Sequence, residues 1–251
     1  MAEMIQHVVF GGTQDDYNVV FDSERIVTTV TNNHQVVTNW INDTLFFHQF
    51  HQFSIHSLVV GLHIEWYRQD HHRDNPVPVA VLQLCAGGRC LIFQLLHSPI
   101  IPYSLSEFLN HPTIAFVGVG IETYASRLGA DYELWVRNCV NLADLSAYCL
   151  EKNELRFDGL KRLAWVVLRK VVAKPAEIVW SEWDSERLLP DQVAYASIHA
   201  FVSFQMGRVT ALLALTACHS RSQSQQFMSP SMTMPSQSSC SLATSTMEDH
   251  Q

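Results

Sequence analysis

Leu58-Val59-Val60-Gly61-Leu62-His63-Ile64-Glu65-Trp66 is the stretch that decides the fold. An apolar run ends in two polar residues on alternate positions, His63 and Glu65. Residues two apart in a strand point to one face, so the run reads as a buried strand that aims an imidazole and a carboxylate at the same spot. A strand apolar on both faces belongs in the middle of a sheet covered by helices. In such sheets, ligands and chemistry sit at strand ends. The alternative is a core strand that merely surfaces at His63, with Glu65 solvated.

Upstream, the β-branched runs Tyr17–Phe21 and Ile26–Thr31 predict an edge hairpin turning at Asp22–Arg25. Residues 1–15 show no period and are expected to be loose. Asn33–Ile41 has apolar residues at helical spacing and predicts a short helix. Residues 42–57 are rich in His, Phe and Gln, but the spacing of His48, His51 and His56 matches no metal site, so a mobile polar segment is expected.

Downstream, residues 68–76 read as a polar loop with His71 and His72 facing solvent. Val79–Cys85 and Arg89–Leu95 predict a hairpin across Ala86-Gly87-Gly88. Ser104 and Glu107 have capping-box spacing and open a helix through Leu109. Ile114–Ile121 predicts a second buried strand running into a helix stopped by Gly129. Asn138–Leu142 is a short strand, with Asp144 expected to cap the following helix. Leu160–Val171 predicts an amphipathic helix whose outer face carries Lys161, Arg162, Arg169 and Lys170. Trp183 anchors a turn, and the last long helix starts at Pro190–Asp191 and runs to about Met206.

The chain has 251 residues, 47% of them hydrophobic, enough for one domain of about 200 residues with extensions. A formal net charge of -8 has the wrong sign for generic adhesion to phosphates. The six cysteines form no CxxC pair or zinc-finger spacing, which points to a reducing compartment, nucleus or cytoplasm. The N-terminus lacks a secretory pattern. No run reaches the roughly 18 uninterrupted apolar residues of a membrane helix, so no membrane partner is expected.

Three segments carry a resemblance. They are Val60–Trp66, Val117–Leu128 and Gln192–Ala200, with Trp183 and Leu160–Lys174 in support. In order and in placement they resemble the motifs of the DEDDy 3′–5′ exonucleases, and the plant Werner syndrome-like exonucleases most closely. The resemblance implies an α/β, RNase H-like mixed sheet flanked by helices, the DnaQ-like exonuclease fold. With the period and composition of the rest, the chain divides into a loose N-terminus (1–15), a hairpin, helix and His/Phe/Gln-rich segment packing on the core (16–57), an exonuclease-like domain (58–217) and a disordered Ser/Met-rich tail (218–251). The resemblance also implies 3′–5′ exonuclease activity on single-stranded or 3′-ended nucleic acid and a divalent metal (Mg or Mn) as cofactor. Phosphate contacts are expected from Arg127 and from the basic face of Lys161, Arg162, Arg169 and Lys170, with a solvated face as the alternative.

The family's four acidic positions read His63, Glu65, Tyr124 and His199 here, and its helper tyrosine is Tyr195. Phosphodiester hydrolysis in this family uses two hard cations held by carboxylates. Glu65 alone leaves the second metal nearly without protein ligands, so catalysis is expected to be impaired by about three orders of magnitude or more. Two alternatives stand beside an impaired nucleic-acid binder. One is an active exonuclease on an altered transition-metal set, with His63 and His199 joining Glu65 as ligands. The other is a protein-interaction module. If His63 and His199 gained charge toward pH 6, binding of single strands would tighten there.

Overall fold

The computed structural model describes residues 4–8, 13–50, 58–67 and 77–226. Among the described residues, eight strands form one mixed sheet in the order β1-β2-β3-β6-β5-β4-β7-β8. They are β1 (Met4–Val8), β2 (Asp15–Phe21), β3 (Glu24–Thr31), β4 (Leu58–Glu65), β5 (Val81–Ala86), β6 (Arg89–Phe93), β7 (Ile114–Gly118) and β8 (Cys139–Asn141). The pairs β3–β6, β4–β7 and β7–β8 are parallel and the others antiparallel. The helices are α1 (His34–Phe50), α2 (Tyr103–Leu109), α3 (Ile121–Tyr132), α4 (Leu142–Leu150), α5 (Leu160–Leu168), α6 (Ala176–Val179) and α7 (Pro190–Gln226).

Central strand β4 separates two cores. Val60, Leu62 and Ile64, all fully buried, face Trp40 of α1, Leu105 and Phe108 of α2, and Leu128 of α3. The opposite face carries Val59, Gly61, His63 and Glu65 and is covered by α7. Contact there is so close that a Cβ on Gly61 would stand 2.0 Å from the Ala200 carbonyl oxygen and 2.7 Å from the Phe204 nitrogen. Glycine is therefore what lets α7 lie directly on the sheet. By length and composition, Pro190–Leu215 is also long and apolar enough to cross a bilayer, although the sequence shows no uninterrupted apolar run. More than half of its most apolar stretch is buried inside the protein, as befits a helix laid along the sheet.

Several boundaries differ from the sequence expectation. Residues 1–15 are not wholly loose: Met4–Val8 pairs antiparallel with β2, a long-range pairing that leaves no local period. The helix expected to end near Ile41 continues to Phe50, because nothing from His34 to Phe50 breaks it. Residues 51–57, with His51 and His56, and the loop 68–76 lie outside the described residues. Ser104 is not a cap: Pro102 occupies the N-cap position, and the Ser104 hydroxyl hydrogen-bonds with Thr38 of α1 at 2.9 Å. Gly129 does not stop α3. It makes room for the Trp135 indole, which a Cβ would meet at 2.8 Å, and the left-handed residue is Glu133, at φ 57°. Asn141 rather than Asp144 caps α4, accepting from the Ala143 N–H at 3.1 Å, while Arg156 donates to Asp144 at 2.8 Å. Helix α7 passes both its expected end near Met206 and the boundary at residue 218 to reach Gln226.

Candidate active site

Three elements deliver the cluster. Strand β4 ends with His63 and Glu65 on the α7 face. Strand β7 turns through Gly120, at φ 71°, a conformation that favours glycine, and the first turn of α3 presents Tyr124. Helix α7 presents Tyr195 and His199, four residues apart and hence on one face. Trp183 is fully buried behind Tyr195, with ring centroids 5.9 Å apart.

These five side chains meet. With its proton on Nε2, His63 donates to Glu65 Oε1 at 3.0 Å, and Glu65 is only 1% exposed. The His63 ring stands edge-on to Tyr124 at 4.9 Å and to His199 at 5.3 Å. His199 lies 3.9 Å from the Tyr195 ring, tilted by 38°. The cluster is an aromatic stack with one carboxylate at its edge.

His199 is neutral. Burial holds its imidazole well below the ordinary histidine range, and the nearby His63 and Lys174 push in the same direction. The Ala173 carbonyl pulls weakly the other way but lies outside hydrogen-bond geometry, so neither ring nitrogen has a partner. The expectation that His199 gains charge toward pH 6 therefore fails, because the site is desolvated.

A sixth residue belongs here. Gln83 of β5 sits directly opposite His63 in the ladder, is fully buried, and has no partner for either side-chain polar atom. Its signal in the sequence is a lone amide inside the apolar run Val81-Leu82-Gln83-Leu84-Cys85, on the positions that share the His63 face. Lys174, which acts electrostatically on His199, lies in a loop and has no such signal.

The donor set does not fit a pair of Mg²⁺ ions. Such ions need several carboxylate and water oxygens in octahedral array, whereas the cluster offers a single carboxylate already bonded to His63. Among the described residues, no group of three or more His, Cys, Asp or Glu side chains is disposed to hold a metal.

The cationic residues separate into two groups. Arg127 lies 4.2 Å over the Trp66 ring, donates to the Val77 carbonyl and stands 3.8 Å from Asp131, so it ties the end of β4 to α3. Lys170, 14% exposed, is 3.7 Å from Glu24 and 4.0 Å from Asp22 and sits over the Phe21 and Phe201 rings. It closes the β2–β3 hairpin onto α7 instead of facing phosphates. Lys161, Arg162 and Arg169 are exposed.

The sequence pattern of the 3′–5′ exonuclease family matches residues 31–206. The chain belongs to the 3′–5′ exonuclease family. Human exonuclease 3′-5′ domain-containing protein 2 is 34% identical over 152 residues, 58% of this chain and 24% of the human protein. A 3′-5′ exonuclease of Arabidopsis thaliana is 29% identical over 151 residues, 60% of this chain and 51% of its own length. The match thus spans about a quarter and about half of these two curated relatives. Among solved structures, the Aedes aegypti Nibbler EXO domain superposes with a TM-score of 0.59 at 14% identity, covering 75% of this chain and 88% of that one. At that identity the likeness speaks to fold, and it confirms the RNase H-like sheet. Within this exonuclease domain the cluster stands where β4, α3 and α7 converge.

Proposed function

We propose that this chain is a nucleic-acid-binding member of the 3′–5′ exonuclease family whose phosphodiester hydrolysis is impaired or lost. One observation carries the reading: Glu65, the single carboxylate of the cluster, is buried against His63, and the other acidic positions are filled by an aromatic stack of Tyr124, His63 and His199. A donor set with one carboxylate would hold a cation pair poorly, and such a pair would supply the activated water and the charge that neutralises the leaving oxygen. Tyr195 stacks on His199 and on this reading has no metal-bound water to orient. The exposed Lys161, Arg162 and Arg169 supply the charge that meets a phosphate backbone.

The plant Werner syndrome-like grouping is part of this proposal. It rests on the three motif segments, and the Arabidopsis exonuclease and a mouse Werner-type exonuclease/helicase, 31% identical over 144 residues, are compatible with it. A nuclear or cytoplasmic setting is proposed from the free thiols of Cys85, Cys90, Cys139 and Cys149.

The test is a nuclease assay on a 3′-ended single strand with Mg²⁺, Mn²⁺ and Zn²⁺ in separate arms, wild type beside Glu65→Ala. The expected result is background hydrolysis in every arm for both proteins. Mg²⁺-dependent digestion that disappears in Glu65→Ala would overturn the proposal. Activity confined to Mn²⁺ or Zn²⁺ would favour the altered metal set.

A further inference from the structure

A pocket of about 410 Å³ opens on the outer side of α5, lined by Gly159, Lys161, Arg162, Trp165 and Val171. Its size is that of a small-molecule site, about 300–1,000 Å³. The local sequence builds it. Lys161 and Arg162 precede Trp165 by four and three residues, so helical geometry puts both cations beside the indole. Side chains on a helix lean toward its N-terminus, which tips the indole toward them. Helix α5 ends at Arg169 in the left-handed conformation, φ 59°, and the chain turns back so that Val171 also lines the pocket. Trp165 is 46% exposed and Val171 69%, a large outlay of apolar surface next to two positive charges in a chain of net charge -8.

We infer that this pocket is a nucleotide subsite: a base of a single strand stacks on Trp165 while the flanking phosphates contact Lys161 and Arg162. The inference rests on the nucleic-acid-binding reading above and names the surface that does the binding. A flat indole with cations to one side is complementary to a unit that is itself a flat aromatic ring joined to an anion. Arg162 is available for that contact. Its partner Asp158 is 3.8 Å away and the Arg162 side chain is 65% exposed, an ion pair of the kind that contributes little and exchanges readily.

The experiment measures fluorescence anisotropy of the full chain with two labelled probes of equal length: an oligothymidylate and an abasic deoxyribose-phosphate strand. Wild type is expected to prefer the base-bearing strand by about tenfold or more, the effect of one base stacked on an aromatic ring. Trp165→Ala should remove that preference and leave the abasic strand unaffected, and Trp165→Phe should restore it to within about threefold. Lys161→Ala/Arg162→Ala should weaken both probes and lower the salt slope by about two. Equal affinity of wild type for the two probes, or a Trp165→Ala protein that binds oligothymidylate like wild type, would overturn the subsite and leave the binding reading standing. If wild type bound neither probe at low salt, the binding reading itself would fall, and the subsite with it.

Discussion

His199 is the residue where burial within the cluster has a measurable consequence. Its neutral imidazole is buried between Tyr195 and His63 with both nitrogens unpartnered, and burial keeps its proton affinity low in the folded state. The unfolded chain takes up that proton below about pH 6.5 and the folded chain does not. Stability is therefore unaffected above that pH and is lost progressively as pH falls from about 6.5 toward the lower folded value. The slope contributed by this one group reaches at most about 1.4 kcal/mol per pH unit. Denaturant unfolding of wild type and His199→Phe across this range is the check: the variant should lose that share of the pH dependence. The groups acting on His199 are His63 of β4, Tyr195 of α7 and Lys174. Equal slopes in the two proteins would mean that the folded site accepts the proton.

Strand β4 and helix α7 make the prediction at the scale of the element. Val60 and Leu62 are fully buried on the face toward α1 to α3, so Val60→Ala or Leu62→Ala should cost about 2–4 kcal/mol. Gly61 looks the other way, onto α7 backbone at 2.0 Å, and backbone cannot rotate aside as a side chain would. Gly61→Ala should therefore cost about 3 kcal/mol or more although it adds a single methyl. Urea unfolding resolves both. A loss below about 0.5 kcal/mol at Val60 or Leu62 would place β4 at the periphery, against the burial seen here. Lys170 makes a related point for the α5 region: its ammonium is committed to the Asp22–Glu24 turn, so Lys170→Ala should loosen the hairpin contact more than it changes affinity for phosphates.

Across the whole molecule, burial on α7 ends with Thr210, the last buried residue of that helix among those described. What folds the domain is the sheet with α1–α3 on one face and α4, α5 and α7 on the other. A chain ending at Ala217 should keep a single cooperative thermal transition, with Tm within about 2 °C of the full chain. A drop beyond about 5 °C, seen by circular dichroism, would show that the segment after Ala217 contributes to the folded core.

Residues 58–65 announced themselves as a central strand because period and apolar content are local properties, and β4 indeed lies between β5 and β7. The motif positions were equally legible, since the identities of His63, Glu65, Tyr124, Tyr195 and His199 count the carboxylates without any coordinates. Caps and ends were not: Asn141, Glu133 and the length of α1 depend on where neighbouring elements meet the helix. Three facts about the site needed the tertiary structure. The charge of His199 is set by burial and by His63, distant in sequence; the role of Lys170 by a turn 146 residues earlier, at Glu24; the place of Gln83 by the register of β4 on β5. Desolvation and ion pairing act through space, so a sequence determines which groups are present, and only the packed chain decides which of them carry charge and which face one another.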